Sequence, residues 1–372
     1  RATFRRVPAD RCMLHFSGAE DLRQRVVLAT LARRQIRITG IRAEAVAGAE
    51  EGAVGLSDAE ASFLRLVEKV VDGCEIAINE TGTELRYRPG ILVGGAGLVH
   101  DCGKVRGVGY FVEPLLALAP FAKRDLQITF RGLTNHAHDV GVDVLRSASL
   151  PLLKRLGIEG EMALQVVRRG APPSGVGEVV LKLPAVRTLH PLHLTDPGRV
   201  KRVRGLAYGS RVSPQILARV VEAARGVLNS YLPDVWVYTD ASGGKEAGAG
   251  YAVCLVAEST NGVLLAAEAT GGGGADPEEV GAAAASQLME EVAQGGAIDA
   301  AHQPLALLLM AFGAQDVSRL RTGPLSPAAV SLLRGLDTFL GVRCHMTTEP
   351  ADGSVLVSCR GVGFSNAAKS VI

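Results

Sequence analysis

Tryptophan occurs once in 372 residues and all aromatic residues together make up 4%, so no aromatic-rich core can be assembled. The six cysteines (Cys12, Cys74, Cys102, Cys254, Cys344, Cys359) stand singly, without a C-x-x-C pair or a Cys/His cluster. That spacing argues against structural zinc and fits a chain of free thiols in a reducing compartment. No run of 18 apolar residues occurs, which argues against a membrane span, and no secretory signal is legible. The sequence opens on Arg1 rather than methionine, which leaves a preceding targeting segment open. Net charge is only +2, so total charge selects no partner.

What is abundant is glycine, 44 residues, which points to many turns and small-residue packing. Charge is unevenly spread. Through Arg42 ten arginines face three acids, a basic end suited to nucleic acid, and Arg199–Arg204 forms a second basic cluster. Residues 276–299 are acidic.

The chain repeats itself. A helix opened by a Ser57/Glu60 capping box stops at Gly73 and is followed by two strand-like runs around Thr81-Gly82. A second helix stops at Gly157 before EMALQVVRR and GEVVLKL. A third, capped by Ser326 with Pro327 in its first turn, stops at Gly341 before VRCHMTT and SVLVSCR. Three copies of helix, glycine stop, strand, turn and strand indicate an internally repeated α/β fold. Residues 186–274 break the pattern: a basic strand, a helix capped by Ser213-Pro214, then VWVYT and GYAVCLVAE, with glycines at 271–274. They read as a small inserted α/β domain. The expected organisation is therefore 1–185 for two repeat units, 186–274 for the insert and 275–372 for the third unit.

The most suggestive stretch for chemistry is His100–Lys123, a basic glycine-punctuated loop (Gly103, Lys104, Arg106, Gly107, Gly109) running into an apolar helix. Cationic backbone feeding a helix N-terminus can seat an anion, although helix-capping glycines before a core helix produce the same pattern. The loop at 240–250 resembles a phosphate loop only loosely, because it lacks the G-x-x-x-x-G-K-[ST] spacing and lies between strands. His136, His138, Asp139 and Asp143 have spacings a metal could use, yet polar residues at a helix start are the commoner explanation. His302 precedes an apolar helix and reads as a capping or packing residue. No nucleophile elbow and no paired-carboxylate signature stands out.

Taken together, HDCGKVRGVGYFVEPLLALAPFAK, RGLTNHAHDVGVDVLRSASLPLL, RRGAPPSGVGEVVLKLP and HQPLALLLMAFGAQDVSRLRTGPLSPAAVSLLRGLDTFLGV resemble the RNA terminal-phosphate cyclase superfamily. The similarity is to its cyclase-like ribosome-biogenesis branch, and is most specific over residues 100–183 and 302–341. It implies three units, each of two helices on a four-stranded sheet, plus a small inserted α/β domain. Two departures matter. Where cyclases carry a glycine-rich segment, this chain reads Gly18-Ala19-Glu20-Asp21-Leu22-Arg23-Gln24-Arg25, and bulky side chains should block backbone approach to phosphate. Where cyclases place the histidine that takes AMP, Ala301 stands here, with Pro304-Leu305 in place of Asp-Gln and His302 one residue out of register.

The resemblance therefore implies a protein without cyclase activity and without cofactor or metal, acting in early small-subunit pre-rRNA processing in the nucleus and nucleolus. Its implied partners are a Bms-type ribosome-assembly GTPase, the small-subunit processome with its box C/D small nucleolar ribonucleoprotein, and pre-rRNA. No membrane is implied. Arg23, Arg25, Lys104, Arg106 and Arg131 would form the anion, RNA or partner surface. Two enzyme readings stand as alternatives: a pre-rRNA endonuclease using Asp316, Arg319 and Arg321, or a retained cyclase. Phosphate contacts or a helix-end cap account for the same three residues.

Overall fold

A computed structural model describes residues 13–43, 54–173, 175–242, 248–272, 274–366 and 369. Its frame is one strand pattern made three times. In the first unit Leu14–Ser17 pairs parallel with Ile36–Thr39, which pairs antiparallel with Leu85–Arg88, itself antiparallel to Glu75–Ile78. The second unit repeats this with Gly95–Asp101, Leu126–Gly132, Gly177–Leu183 and Ala163–Arg168. The third uses His193–Leu194, Val317–Thr322, Val355–Arg360 and His345–Thr348. Each parallel pair needs a crossover, and a helix supplies it. In the first two units that helix is Leu22–Ala32 and Val108–Leu118; in the third it is Gln303–Phe312.

The second helix of each unit ends where the sequence places its stop. Gly73, Gly157 and Gly341 all take a left-handed backbone, at φ 68°, 78° and 67°. Side chains other than glycine are strained in that conformation, so the residue type that turns each helix into its hairpin is the one found. The N-caps also match. Ser57 and Glu60 form a reciprocal capping box, and Ser326 Oγ accepts from the Ala329 N–H.

The three crossover helices face inward. Val108–Leu118 is apolar on all sides and almost wholly buried, as such a helix must be. It packs on Leu22–Ala32 and on Gln303–Phe312, while Pro327–Leu340 closes against Leu22–Ala32 and Gln303–Phe312. One continuous hydrophobic cluster joins all three units to the insert.

The insert is a sheet ordered Val235–Ser242, Val200–Ser210, Gly250–Ser259, Leu264–Gly271. Its limits differ from the expected 186–274. His193–Leu194 belongs to the third unit's sheet, through its parallel pairing with Arg319 and Leu320. The helix Pro277–Ala293 packs on the insert's own helix Pro214–Leu228 and on strand Leu264–Gly271, so it completes the insert rather than opening the third unit. The third unit is thus split, its first strand lying before the insert and the rest after it. Two residues make too short a strand to read from alternation, and a well-capped helix start says nothing about which sheet the helix will cover.

Candidate anion cleft

An open cleft of about 760 Å³ lies where the three units meet. Leu22, Tyr110, Pro304 and Pro327, each in the first turn of a different helix, line it. Helix N-termini carry partial positive charge, so four of them on one cavity make a positive environment before any side chain is counted.

Two of the expected cations meet there. The guanidinium carbons of Arg23 and Arg106 lie 3.8 and 4.4 Å from the centroid of the Tyr110 ring. Arg23 donates to the Tyr110 carbonyl at 2.6 Å and pairs with Glu113 at 3.4 Å. Glu113 lines the cleft and keeps 36% of its side-chain surface exposed. Desolvation raises its pKa, against the pull of Arg23.

Arg106 is already engaged. Its Nε donates to both oxygens of Asp139 at 2.9 Å and a terminal nitrogen pairs with the same carboxylate. Asp139 Oδ2 also accepts from the Gly107 backbone N–H at 2.7 Å, at the N-cap of Val108–Leu118. The hydrogen bonds to Asp139 raise the Arg106 pKa above its ordinary value. The donors that would meet an external anion at this helix start therefore already hold an internal one. Two other buried or half-buried carboxylates also take backbone N–H groups: Glu268 that of Gly141 at 2.6 Å, and Glu291 that of Ala300 at 3.0 Å.

The remaining expected cations lie outside the cleft. Arg25 turns back to the Ser17 and Gly18 carbonyls and packs over Phe16. Lys104 is exposed on the loop, and Arg131 pairs across its sheet with Glu178 at 3.4 Å. Asp316, Arg319 and Arg321 also lie away from it: Asp316 just precedes the strand Val317–Thr322, and Arg319 and Arg321 lie within it, so none closes a helix. Asp316 Oδ1 accepts from the Val317 N–H at 2.7 Å; Arg321 donates to the Thr195 carbonyl at 2.8 Å and to Ser354 Oγ at 3.2 Å.

At the Gly18–Arg25 segment, Leu22 is 3% exposed and Arg23 lies across Tyr110, so side chains fill the place expected to be closed to phosphate. Ala301 lines the cleft where a nucleophilic histidine would be needed. His302 lines it too, as the N-cap of Gln303–Phe312, but both ring nitrogens are committed. Nδ1 lies 2.6 Å from Asp299 Oδ1, and Nε2 lies 2.7 Å from Ser149 Oγ. Burial alone would lower the His302 pKa, but the Asp299 carboxylate overcomes this and raises it. The imidazolium can then donate from both nitrogens. The connectivity is that of a serine paired with a histidine; Ser149 is among the residues lining the cleft but is only 1% exposed. Asp299 Oδ2 further accepts from the Ala266 N–H at 3.0 Å, so this network ties the insert, the second unit and the third unit together.

Reasoning from sequence missed Tyr110, Glu113, Ser149 and Asp299. Glu113 had a signal, being the one charge inside the apolar run VGYFVEPLLAL. Ser149 had none; it ends a π-helical stretch, Leu145–Ser149, that no periodicity announces. Among the described residues no group of three or more His, Cys, Asp or Glu is disposed to hold a metal, and Asp139 and Asp143 serve arginines instead. Residues 243–247 of the loop at 240–250 lie outside the described residues.

The model of the family described as RNA 3'-terminal phosphate cyclase matches residues 14–346. The chain belongs to that family. It is 46% identical to the human protein named RNA 3'-terminal phosphate cyclase-like protein, over 96% of this chain and 98% of that one. It is 41% identical to the rRNA processing protein rcl1 of Schizosaccharomyces pombe, covering 94% and 96% of the two chains. Against the rRNA processing protein RCL1 of Saccharomyces cerevisiae the identity is 35%, over 96% and 97%. Of the segment expected to depart from cyclases, Ala19 and Asp21 to Gln24 line the cleft, as does Ala301.

Proposed function

We propose that this protein is a non-cyclising member of its family that acts in rRNA processing, as an assembly factor of the small ribosomal subunit in the nucleolus. Its nearly full-length likeness to two proteins named for rRNA processing supports the process. The observation that carries the loss of cyclase activity is the Asp139 carboxylate held on Arg106 and on the Gly107 N–H. With that seat filled and Ala301 in the nucleophile's place, the cleft offers Arg23, the edge of Arg106 and Tyr110 as a binding surface. A ribosome-assembly GTPase of the Bms type is the protein partner this reading names. Box C/D particles and pre-rRNA within the small-subunit processome complete its surroundings.

The test is to purify the tagged chain from cells at low and at rising salt and to identify what accompanies it. Small-subunit pre-rRNA and one large GTPase are expected, with any direct RNA contact weakening steeply as salt rises. Depletion should block early small-subunit pre-rRNA cleavage. Purification without either partner, together with normal processing after depletion, would overturn the proposal. For the nuclease alternative, Asp316 Oδ1 is held by the Val317 N–H and Arg321 by the Thr195 carbonyl and Ser354 Oγ, while Asp316 and Arg319 stay exposed.

A further inference from the structure

The insert's sheet has an edge strand, Val235–Ser242, with two large aromatic side chains in solvent. Trp236 is 57% exposed and Tyr238 58%. Two residues apart on a strand, they share one face, with ring centroids 6.1 Å apart. In the parallel register Arg204 lies beside Trp236 and Leu206 beside Tyr238. Next to them opens a groove of about 360 Å³ between this sheet and the helical segment carrying Arg146 and Ser147. Tyr238, Arg204 and Glu258 are among its walls.

The charge around this face leans positive. Arg146, Lys201, Arg202, Arg204 and the buried Arg169 stand against Asp143, Glu258, Asp234 and Asp240. Arg169 holds Asp143 at 2.7 Å and Asp240, on the same strand face as the two rings, at 2.9 Å. Arg146 keeps 44% of its side-chain surface open, Lys201 and Arg202 41% each, and Arg204 35%. Their partners Asp234 and Glu258 keep 52% and 23%, unlike the buried Asp139 that holds Arg106. Asp143 retains Arg169 when Arg146 leaves it, so a phosphate can compete for these cations. Exposed aromatic faces flanked by guanidinium groups suit a ligand that is flat and apolar in one part and anionic in the next. Unpaired nucleotides have that form: every base has a face to stack, and each carries a phosphate. A duplex hides its base faces. An acidic polypeptide would satisfy the cations but leave the paired rings without a stacking partner.

We propose that the Trp236–Tyr238 face binds single-stranded RNA, with bases stacked on the two rings and phosphates directed to Arg204, Arg202 and Arg146. The proposal deepens the rRNA-processing reading and rests on it for the source of the RNA, but the binding itself is tested apart from it. Trp236 is the only tryptophan of the 372 residues, so the tryptophan fluorescence of this chain reports on this face. Titration with a short unstructured oligoadenylate should quench the emission. Fluorescence anisotropy of labelled oligoadenylate should show affinity falling about fivefold or more in Trp236→Ala and in Tyr238→Ala. Trp236→Phe should keep most of the affinity, and a duplex of the same length should quench weakly. Both rings are exposed, so the variants should fold, which circular dichroism checks.

Absence of quenching, or alanine variants binding RNA as the parent does, would overturn the proposal. So would equal quenching by the duplex, or a polyglutamate peptide quenching more strongly than RNA, which would assign the face to a protein. A Trp236→Ala, Tyr238→Ala chain that binds naked RNA normally yet still purifies with pre-rRNA would sink this inference and leave the proposed function standing. Loss of naked-RNA binding together with pre-rRNA co-purification would support both.

Discussion

Asp139 holds Arg106 through its side chain and the residue after it, Gly107, through the backbone, so one carboxylate neutralises both the cation and the helix start of an anion seat. Replacing it separates structure from masking. Asp139→Asn should destabilise the protein by about 2 kcal/mol, because a buried acceptor is weakened while Arg106 can partly rehydrate. The same variant should gain anion affinity. Thermal melting with and without inorganic phosphate should show a larger phosphate-induced rise in Tm for Asp139→Asn than for the parent. Equal responses would mean that the seat is not masked.

The His302 network should be visible by its protonation. Asp299 raises the His302 pKa above the ordinary histidine value, and His302 in return holds Asp299 below the ordinary carboxylate value despite burial. For the histidine, the stabilising contribution is present below the unfolded pKa of about 6.5 and is lost as pH rises through the folded value. Asp299→Asn removes the raising charge and leaves burial, so its His302 should titrate lower than in the parent, as followed by NMR. The variant should lose about 3 kcal/mol near pH 6. Ser149→Ala should lose only about 1 kcal/mol and leave the protonation of His302 nearly unchanged.

Burial pushes the Glu268 carboxyl up to about 7. A carboxyl raised in the folded state favours folding below its unfolded pKa, and that advantage is lost as pH rises from about 4.5 to 7. Glu268→Gln keeps an oxygen for the Gly141 N–H but cannot ionise. It should be more stable than the parent at pH 8, by on the order of 2 kcal/mol, with the difference vanishing near pH 5. Urea denaturation at the two pH values measures this.

The three glycine stops offer a comparison within one molecule. A Cβ at Gly73 or Gly341 meets nothing within 4 Å, so alanine there carries only the left-handed strain of about 1 kcal/mol. At Gly157 a Cβ would come within 2.5 Å of the His190 ring. Gly157→Ala should therefore be clearly the worst of the three in urea denaturation.

Those glycines also show how far the sequence could be read. Caps, glycine stops and strand pairs are local chemistry, so the repeat was legible from Ser57, Gly73, Ser326 and Gly341 without any long-range contact. The insert's limits were not, because they depend on which sheet a two-residue strand and a capped helix join. The cleft was legible in half. Arg23 and Arg106 do meet there, but Arg25, Lys104 and Arg131 share their charge and not their direction. A carboxylate 33 residues from its arginine and a serine 153 residues from its histidine become partners only through the tertiary fold.

The central claim is that this cleft binds without carrying out the family's chemistry. Its most direct test is to incubate the purified full-length protein with radiolabelled ATP and an RNA ending in a 3'-phosphate. Protein-bound label and the RNA terminus are then examined on denaturing gels. The account predicts no covalent adduct and an unchanged RNA end. A stable adenylated protein that disappears in His302→Ala, or a cyclised terminus, would contradict it.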